Sequence, residues 1–463
     1  MSFSPQLVYF LDRLSGFSTN VFRLEPQGST NSGPNSITRI TLPSNALLNT
    51  RSFKLHFLAS TVAASSVGGR LPADISTLVE RVEISAGGVQ LSQGTNFYNT
   101  LVNAKAALMG SRCDSVTGHS ELVRANKFDG NSVGANVGDD EVYSGTGTPH
   151  VIDKWEGFLG TCEPRILDAS ILPDLVVSIY WAPNTVLASC KQNTTNALFT
   201  AKPDAGASAV YEIKNIHASI ETVALADSVY DNMVAGMIAS KGFVEIPFKQ
   251  YFSFHNTHTG SSRFTVATQS LDRIWMAWRL SSYNTLDAPH AVPGYSTAAG
   301  IAGGAAADNK TAIESLPGLL SDYGGMHGTG ATEKYITEYQ RFAEPGAADA
   351  LKYQLQLNGA MYPQYAAGTE DMYQITKNSL PGPVKYGLTK EQLRDSYFVQ
   401  CVRLNMPDSE MTRQLSGLDT RSVSLNGYVN TTGTLTANAN LMIFAECSSS
   451  LRVGAGRQLE III

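Results

Sequence analysis

Few residues of this 463-residue chain stand at spacings that could do chemistry. The nearest approach to a metal pair is His255-x-x-His258, two imidazoles in reach of one ion if the backbone turned them together. In an extended segment a spacing of three sends the rings to opposite faces, so the expectation is a polar strand end with no metal. The remaining His are isolated. Five cysteines, Cys113, Cys162, Cys190, Cys401 and Cys447, are scattered, odd in number and without a CxxC pair. That pattern argues against a disulfide framework and a zinc site, and for a reducing compartment. There is no G-x-S-x-G elbow, no G-x-x-x-x-G-K-[ST] loop and no H-E-x-x-H helix, and the Gly-rich stretches lack the flanks that cradle phosphate. Gly87-Gly88 reads as a hairpin turn. The adjacent pairs Glu80-Arg81 and Asp272-Arg273 cannot share a strand face and read as solvated or interface charges. Arg457 reads as an intersubunit contact. With no convergent acids, bases or nucleophiles, no catalytic residue and no cofactor is expected, and the chain does not read as an enzyme.

Composition says what must be built instead. The length implies two or three domains. Hydrophobic residues make up 43% and charged residues only 16%, ample for cores but a thin charge coat, as if much surface were covered by other subunits. Forty Gly and nineteen Pro fit an all-β chain with many turns. The net charge of -6, with no run of Lys or Arg, gives no footprint for direct sequence-specific nucleic acid binding. No apolar run approaches the roughly 20 residues of a membrane span, and no signal-like leader is visible, so the chain reads as made in soluble form. The sequons at Asn193, Asn309 and Asn430 then read as chance matches.

The pattern along the chain is mostly of period two. Leu7, Phe10, Leu11 and Leu14 fit a short amphipathic helix, either docked on its own domain or reaching a neighbour or an internal membrane. From Ser36 the alternation of Ile37, Arg39 and Thr41 against Thr38, Ile40 and Leu42 predicts a strand. Phe53, Leu55 and Phe57 predict a second, Asp74 to Leu78 a turn of helix, and Val82 and Ile84 another strand. A helix of about three turns starts at Phe97. Residues 110 to 150 read as long loops, Leu175 to Trp181 as a strand buried on both faces, and residues 189 to 209 as an interdomain linker, with the boundary near 195.

Beyond it GFVEIPFKQYFSFHN, RFTVATQSLDRIWMAWRLSS and KYQLQLNGAMYPQY read as strands, with Trp275 and Trp278 on opposite faces and Leu355 and Leu357 on one. Some 65 residues rich in Ala and Gly before Lys352 read as an inserted loop. Asn426-Gly427 reads as turn or bulge chemistry and Leu441 to Ala445 as a central strand. Shifting VEISAGGVQLSQGTNFYNTLV by 132 places aligns Ile84 with Ile216 and Tyr98 with Tyr230 without a gap, an echo that favours duplication of one fold.

LPADISTLVERVEISAGGVQL, LPDLVVSIYWAPN and GFVEIPFKQYFSFHN resemble stretches of the double jelly-roll major capsid proteins, the lineage of adenovirus hexon, large algal viruses, virophages and polinton-like viruses. The resemblance covers most of residues 20 to 450 in layout and rests on hydrophobic patterns; the loops at 110–150 and 283–350 have no counterpart in it. It implies an all-β fold of two consecutive eight-stranded jelly-roll sandwiches, with short helices and long loop insertions. The expected layout is an arm over 1–19, a first jelly roll over 20–195, a second over 196–450 with an insertion at about 283–350, and an arm over 451–463. It implies the capsid of a DNA virus as location, homotrimeric pseudo-hexagonal capsomers tiling an icosahedral shell, and minor capsid, penton or cement proteins as further partners, with an internal membrane as another. Leu7, Phe10 and Leu14 in one arm and Ile461, Ile462 and Ile463 in the other are the candidate assembly residues. The competing readings are a spike or glycan-binding β-sandwich that stacks sugars on aromatics such as Tyr295 or Tyr323, and a cupin-type jelly-roll enzyme, which needs clustered His and carboxylate ligands.

Overall fold

The computed structural model describes residues 17–44, 46–62, 67–72, 75–92, 95–109, 147–192, 199–201, 210–225, 236, 239–280, 290–291, 326–328, 334–336, 342, 344–346, 349–380, 393, 398–406, 416–421, 425–435 and 439–463. Tyr295, Tyr323, Leu7, Phe10 and Leu14 lie outside them.

Alternating apolar residues build two sandwiches. In the first, β1 (Phe17–Leu24), β12 (Val210–Leu225), β3 (Leu47–Val62) and β7 (Thr148–Ile152) form one sheet in that order, with β8 (Ile166–Asp168) also on β3. The facing sheet runs β2 (Ile37–Thr41), β9 (Leu175–Trp181), β5 (Val79–Ala86), β6 (Val89–Ser92). The second sandwich repeats this order: β13 (Phe243–Thr257), β23 (Ala439–Gly454), β15 (Leu271–Leu280), β21 (Val399–Arg403), opposite β14 (Ser261–Val266), β22 (Leu425–Thr432), β19 (Lys352–Leu357), β20 (Ala360–Ala367). In chain order a helix stands between the fifth and sixth sandwich strands of each, α1 (Tyr98–Met109) between β6 and β7 in the first and Thr369–Ser379 between β20 and β21 in the second. Two jelly rolls related element for element are therefore present, as expected.

The period-two readings locate the core. In β2, Thr38 and Ile40 are buried while Ile37 is exposed, and in β14 the pattern alternates without a break. Trp181 and Phe57 meet edge to face between the first pair of sheets, and Trp278 and Tyr353 between the second, which marks those faces as inner. The Gly87-Gly88 turn between β5 and β6 has positive φ at both glycines, the conformation a tight hairpin demands.

Four expectations need correction. Residues 210–225 form β12, paired with β1 on one side and β3 on the other, so the first jelly roll extends to Leu225 and the boundary lies between Leu225 and Phe243, not near 195. The supposed linker holds β10 (Ala188–Gln192) and β11 (Phe199–Ala201); β10 pairs with β11 on one side and with β4 (Val67–Arg70) on the other. A polar, Gly-poor hairpin and a linker look alike when only composition is read. The 132-place echo joins β5 to β12, two strands of the same sandwich, while the counterpart of β5 is β19. Asn426-Gly427 lies within β22, and the glycine is there because a Cβ would collide with the Phe264 ring on β14.

Of the loop stretches, Thr148–Ile152 is strand β7, and the insertion contributes β16 (His290–Ala291), β17 (Met326–Gly328) and β18 (Lys334–Ile336), a small sheet of their own.

Candidate functional site: the seam between the jelly rolls

The two cores interlock. Leu101, Ala104 and Leu108 of α1 belong to the apolar cluster of the second sandwich, and Ile246, Phe248, Leu451 and Val453 of the second belong to that of the first. Phe158, in the short helix Phe158–Thr161, meets Phe248 edge to face. Each buried Leu contributes about 1.5–3 kcal/mol, so exchanged side chains couple the two halves strongly. Backbone N–H groups donate across it as well, Glu163 N to the Pro247 carbonyl at 2.9 Å and Lys249 N to the Thr161 side-chain Oγ1 at 2.8 Å.

Embedded in this seam are three cations and three carboxylates. Lys105 Nζ on α1 donates to Glu156 Oε2 at 2.5 Å and to Tyr251 OH at 2.9 Å, and Tyr251 OH donates to Glu156 Oε2 at 2.9 Å. Lys249 Nζ reaches Asp272 Oδ2 at 2.5 Å and Ser448 Oγ at 2.7 Å. Ser270 and Ser448 hydroxyls also donate to Asp272. Arg273 Nη1 donates to Glu446 Oε1 at 3.0 Å and Trp275 Nε1 to Glu446 Oε2 at 2.9 Å. Burial opposes the charge on Glu446, but Lys105, Arg273 and Lys249 outweigh it and hold its carboxyl below the usual range. The Tyr251 hydroxyl is pushed far up by burial and by Glu156 and Glu446, so it stays a neutral donor.

Asp272 and Arg273 are thus buried and paired inside the chain, not solvated. A register shift between Leu271 and Arg273 lets the two neighbours reach different partners. Their face of the sheet is covered by the other jelly roll, a fact of tertiary structure that the strand pattern does not carry. Arg81 pairs with Glu83 and lies over the Tyr180 ring, while burial raises the carboxyl of neighbouring Glu80. Arg457 is exposed at the turn after β23.

The histidine pair does not converge. His255 packs against Phe97, whereas His258 is buried with its ring nitrogens on Ser262 Oγ at 2.6 Å and Thr431 Oγ1 at 2.8 Å. Among the described residues no group of three or more His, Cys, Asp or Glu could hold a metal ion. Cys162, Cys401 and Cys447 are free and buried, and burial pushes the Cys162 thiol up to about 12.

Ile461 and Ile462 lie in β24 (Leu459–Ile462), an antiparallel addition to β23, and the Ile463 carbonyl accepts from Gln269 N at 3.0 Å. Leu459 and Ile461 pack against the first core cluster. In place of a free arm, the segment is half-buried on its own chain, because apolar side chains find cover there. Sequence reading missed β1, whose polar alternation is weak, and the ionic seam, whose members are scattered from Lys105 to Glu446.

The fold defines a class: two side-by-side jelly rolls in one chain. The chain superposes on the PBCV-1 virus capsid with a TM-score of 0.55 at 13% identity over 98% of each chain. It matches PBCV-1 VP54, fitted into a reconstruction of the virophage Sputnik, at 0.55 and 14% over 98% of each. The Faustovirus major capsid protein gives 0.52 at 10%, covering 96% of this chain and 92% of that one. This is the double jelly roll that those capsid proteins share. No protein-family model and no curated protein matches the sequence. Among the described residues no helix is long and apolar enough to cross a membrane.

Proposed function

We propose that the chain is the shell-forming subunit of an icosahedral virus capsid, acting as a closed ring of three copies. The observation that carries this reading is one kind of seam, filled in one sandwich and open in the other. The outer face of the sheet β13-β23-β15-β21, with Tyr251, Trp275 and Glu446, is buried by the first jelly roll of the same chain. The corresponding sheet β1-β12-β3-β7 has the same strand order, yet its β1 is exposed on both faces, with Val21 65% and Phe22 46% accessible. The natural occupant is the second jelly roll of another copy, whose helix Thr369–Ser379 holds the place in strand order that α1 holds in the first.

A head-to-tail contact of this kind makes a ring when the rotation closes. With two like domains per chain, three chains give six nearly equivalent positions, a shape that tiles. An obligate interface of this sort buries more than roughly 2,000 Å². In this reading the mechanism is assembly, and no bond is made or broken. Leu7, Phe10 and Leu14 are candidates for a basal tie, and vertex or cement proteins and an internal membrane are the remaining partners.

Light scattering of the purified chain tests the proposal: the expected mass is three times 49.7 kDa, with hexagonal particles by electron microscopy. A monomer at micromolar concentration overturns it, and slender trimers that never tile favour the spike.

A further inference from the structure

On the open outer face, His56 of β3 and His217 of β12 are directly paired across the strands, with ring centroids 4.9 Å apart and planes 4° from parallel. Leu55 and Phe57, the neighbours of His56, point into the core, which fixes the histidines on the outer side. His217 Nδ1 lies 3.0 Å from the Asn215 carbonyl, so that nitrogen carries the proton, and His56 Nε2 lies 2.9 Å from Ser219 Oγ. Two imidazoles stacked face to face are compatible when neutral. Once both are charged, they repel at a distance too short for solvent to screen.

The surroundings add to the repulsion. Burial, above all, then His217, Lys54 of β3 and Arg23 of β1 act on His56 with the same sign, so its ring sits below its ordinary value of 6.5. From β7, Val151 is the residue paired with His56. Glu221, two residues beyond Ser219 on the same face of β12, accepts from Asn49 Nδ2 at 2.6 Å. The neighbouring copy would bring the helix Thr369–Ser379, with Glu370, Asp371 and Lys377; Asp371 already accepts from Gly368 N at 3.2 Å.

We propose that the stacked pair His56–His217 makes the seam between chains acid-labile, because protonation sets positive charge on each ring against the other and against Lys54 and Arg23 where the seam removes water. This rests on the reading of that face as the contact between copies. The sign follows from linkage: association buries the rings and favours their neutral form. Affinity is then full at pH 6.5 and above, and is lost as pH falls through the lowered His56 value, which lies below 6.5.

The test is sedimentation of the full chain from pH 8 to pH 5. The expected result is a trimer at pH 8 whose dissociation constant rises as pH is lowered from 6.5 to 5, by about tenfold per pH unit for each proton taken up on dissociation. The double variant His56→Gln, His217→Gln should stay trimeric across the range. A trimer indifferent to pH, or one whose acid sensitivity survives the double substitution, overturns the acid switch alone. A monomer already at pH 8 overturns the ring itself and the switch with it.

Discussion

Arg273 and Glu446 face each other across β15 and β23 at 3.0 Å, both side chains 5% exposed, in a seam that belongs to neither jelly roll alone. A buried pair of this kind is costly to break and of little net worth beside an apolar replacement. Arg273→Met should therefore destabilise the chain by about 3–5 kcal/mol, while Arg273→Met combined with Glu446→Leu should recover most of that loss. Urea unfolding of the two variants checks it; equal losses would show that the pair does not act as a unit.

Leu101 lies on the first jelly roll but packs in the core of the second. Leu101→Ala should cost about 2–5 kcal/mol. Because the cores are shared, the chain should still unfold in one transition. Trp155 and Trp181 report on one half and Trp275 and Trp278 on the other. Two separate transitions by calorimetry would refute the interlocked seam.

His258 is held neutral by burial, with its ionisation pushed down to about 4. Its folded-state value lies below the unfolded one, so its contribution is present above pH 6.5 and is lost as pH falls from there towards 4. In His258→Gln the stability difference between pH 6.5 and pH 4 should shrink. Denaturant midpoints measured at both values decide it, and an unchanged difference would assign the acid sensitivity to other groups.

Gly427 is required by a close approach, since any Cβ there meets the Phe264 ring. Gly427→Ala should cost about 1–3 kcal/mol by overpacking, and Phe264→Leu in the same chain should return part of it. Thermal melts of the single and double variants give the answer; additive losses would mean the ring is not the obstacle.

Val21 is exposed on an edge strand with the open face beside it. Val21→Lys should leave the melting temperature within about 1 °C, because surface substitutions cost little. It should weaken self-association by tenfold or more, about 1.4 kcal/mol. Sedimentation reads the second effect, and full trimer formation by this variant would remove β1 from the contact.

What sequence settled by itself was the local layer. Alternation at Ile37 to Leu42, at Phe53 to Phe57 and at Leu355 and Leu357 marked strands and their inner faces, because side-chain period follows from backbone geometry alone. Leu175 to Trp181 showed through its apolar content a strand whose inner face is buried and whose outer face, with Val176 and Tyr180, is half-buried, and Trp275 and Trp278 their divergence through a spacing of three. What sequence left open was which strands are neighbours. Register and sheet order depend on pairings between residues as distant as Asn49 and Glu221. Strands that alternate alike are interchangeable on paper, which is why β12 fell on the wrong side of the boundary. The ionic seam was hidden for the same reason: Lys105, Asp272, Arg273 and Glu446 look like surface charges until the two sandwiches close on each other, and only that closure removes the water that would have held them apart.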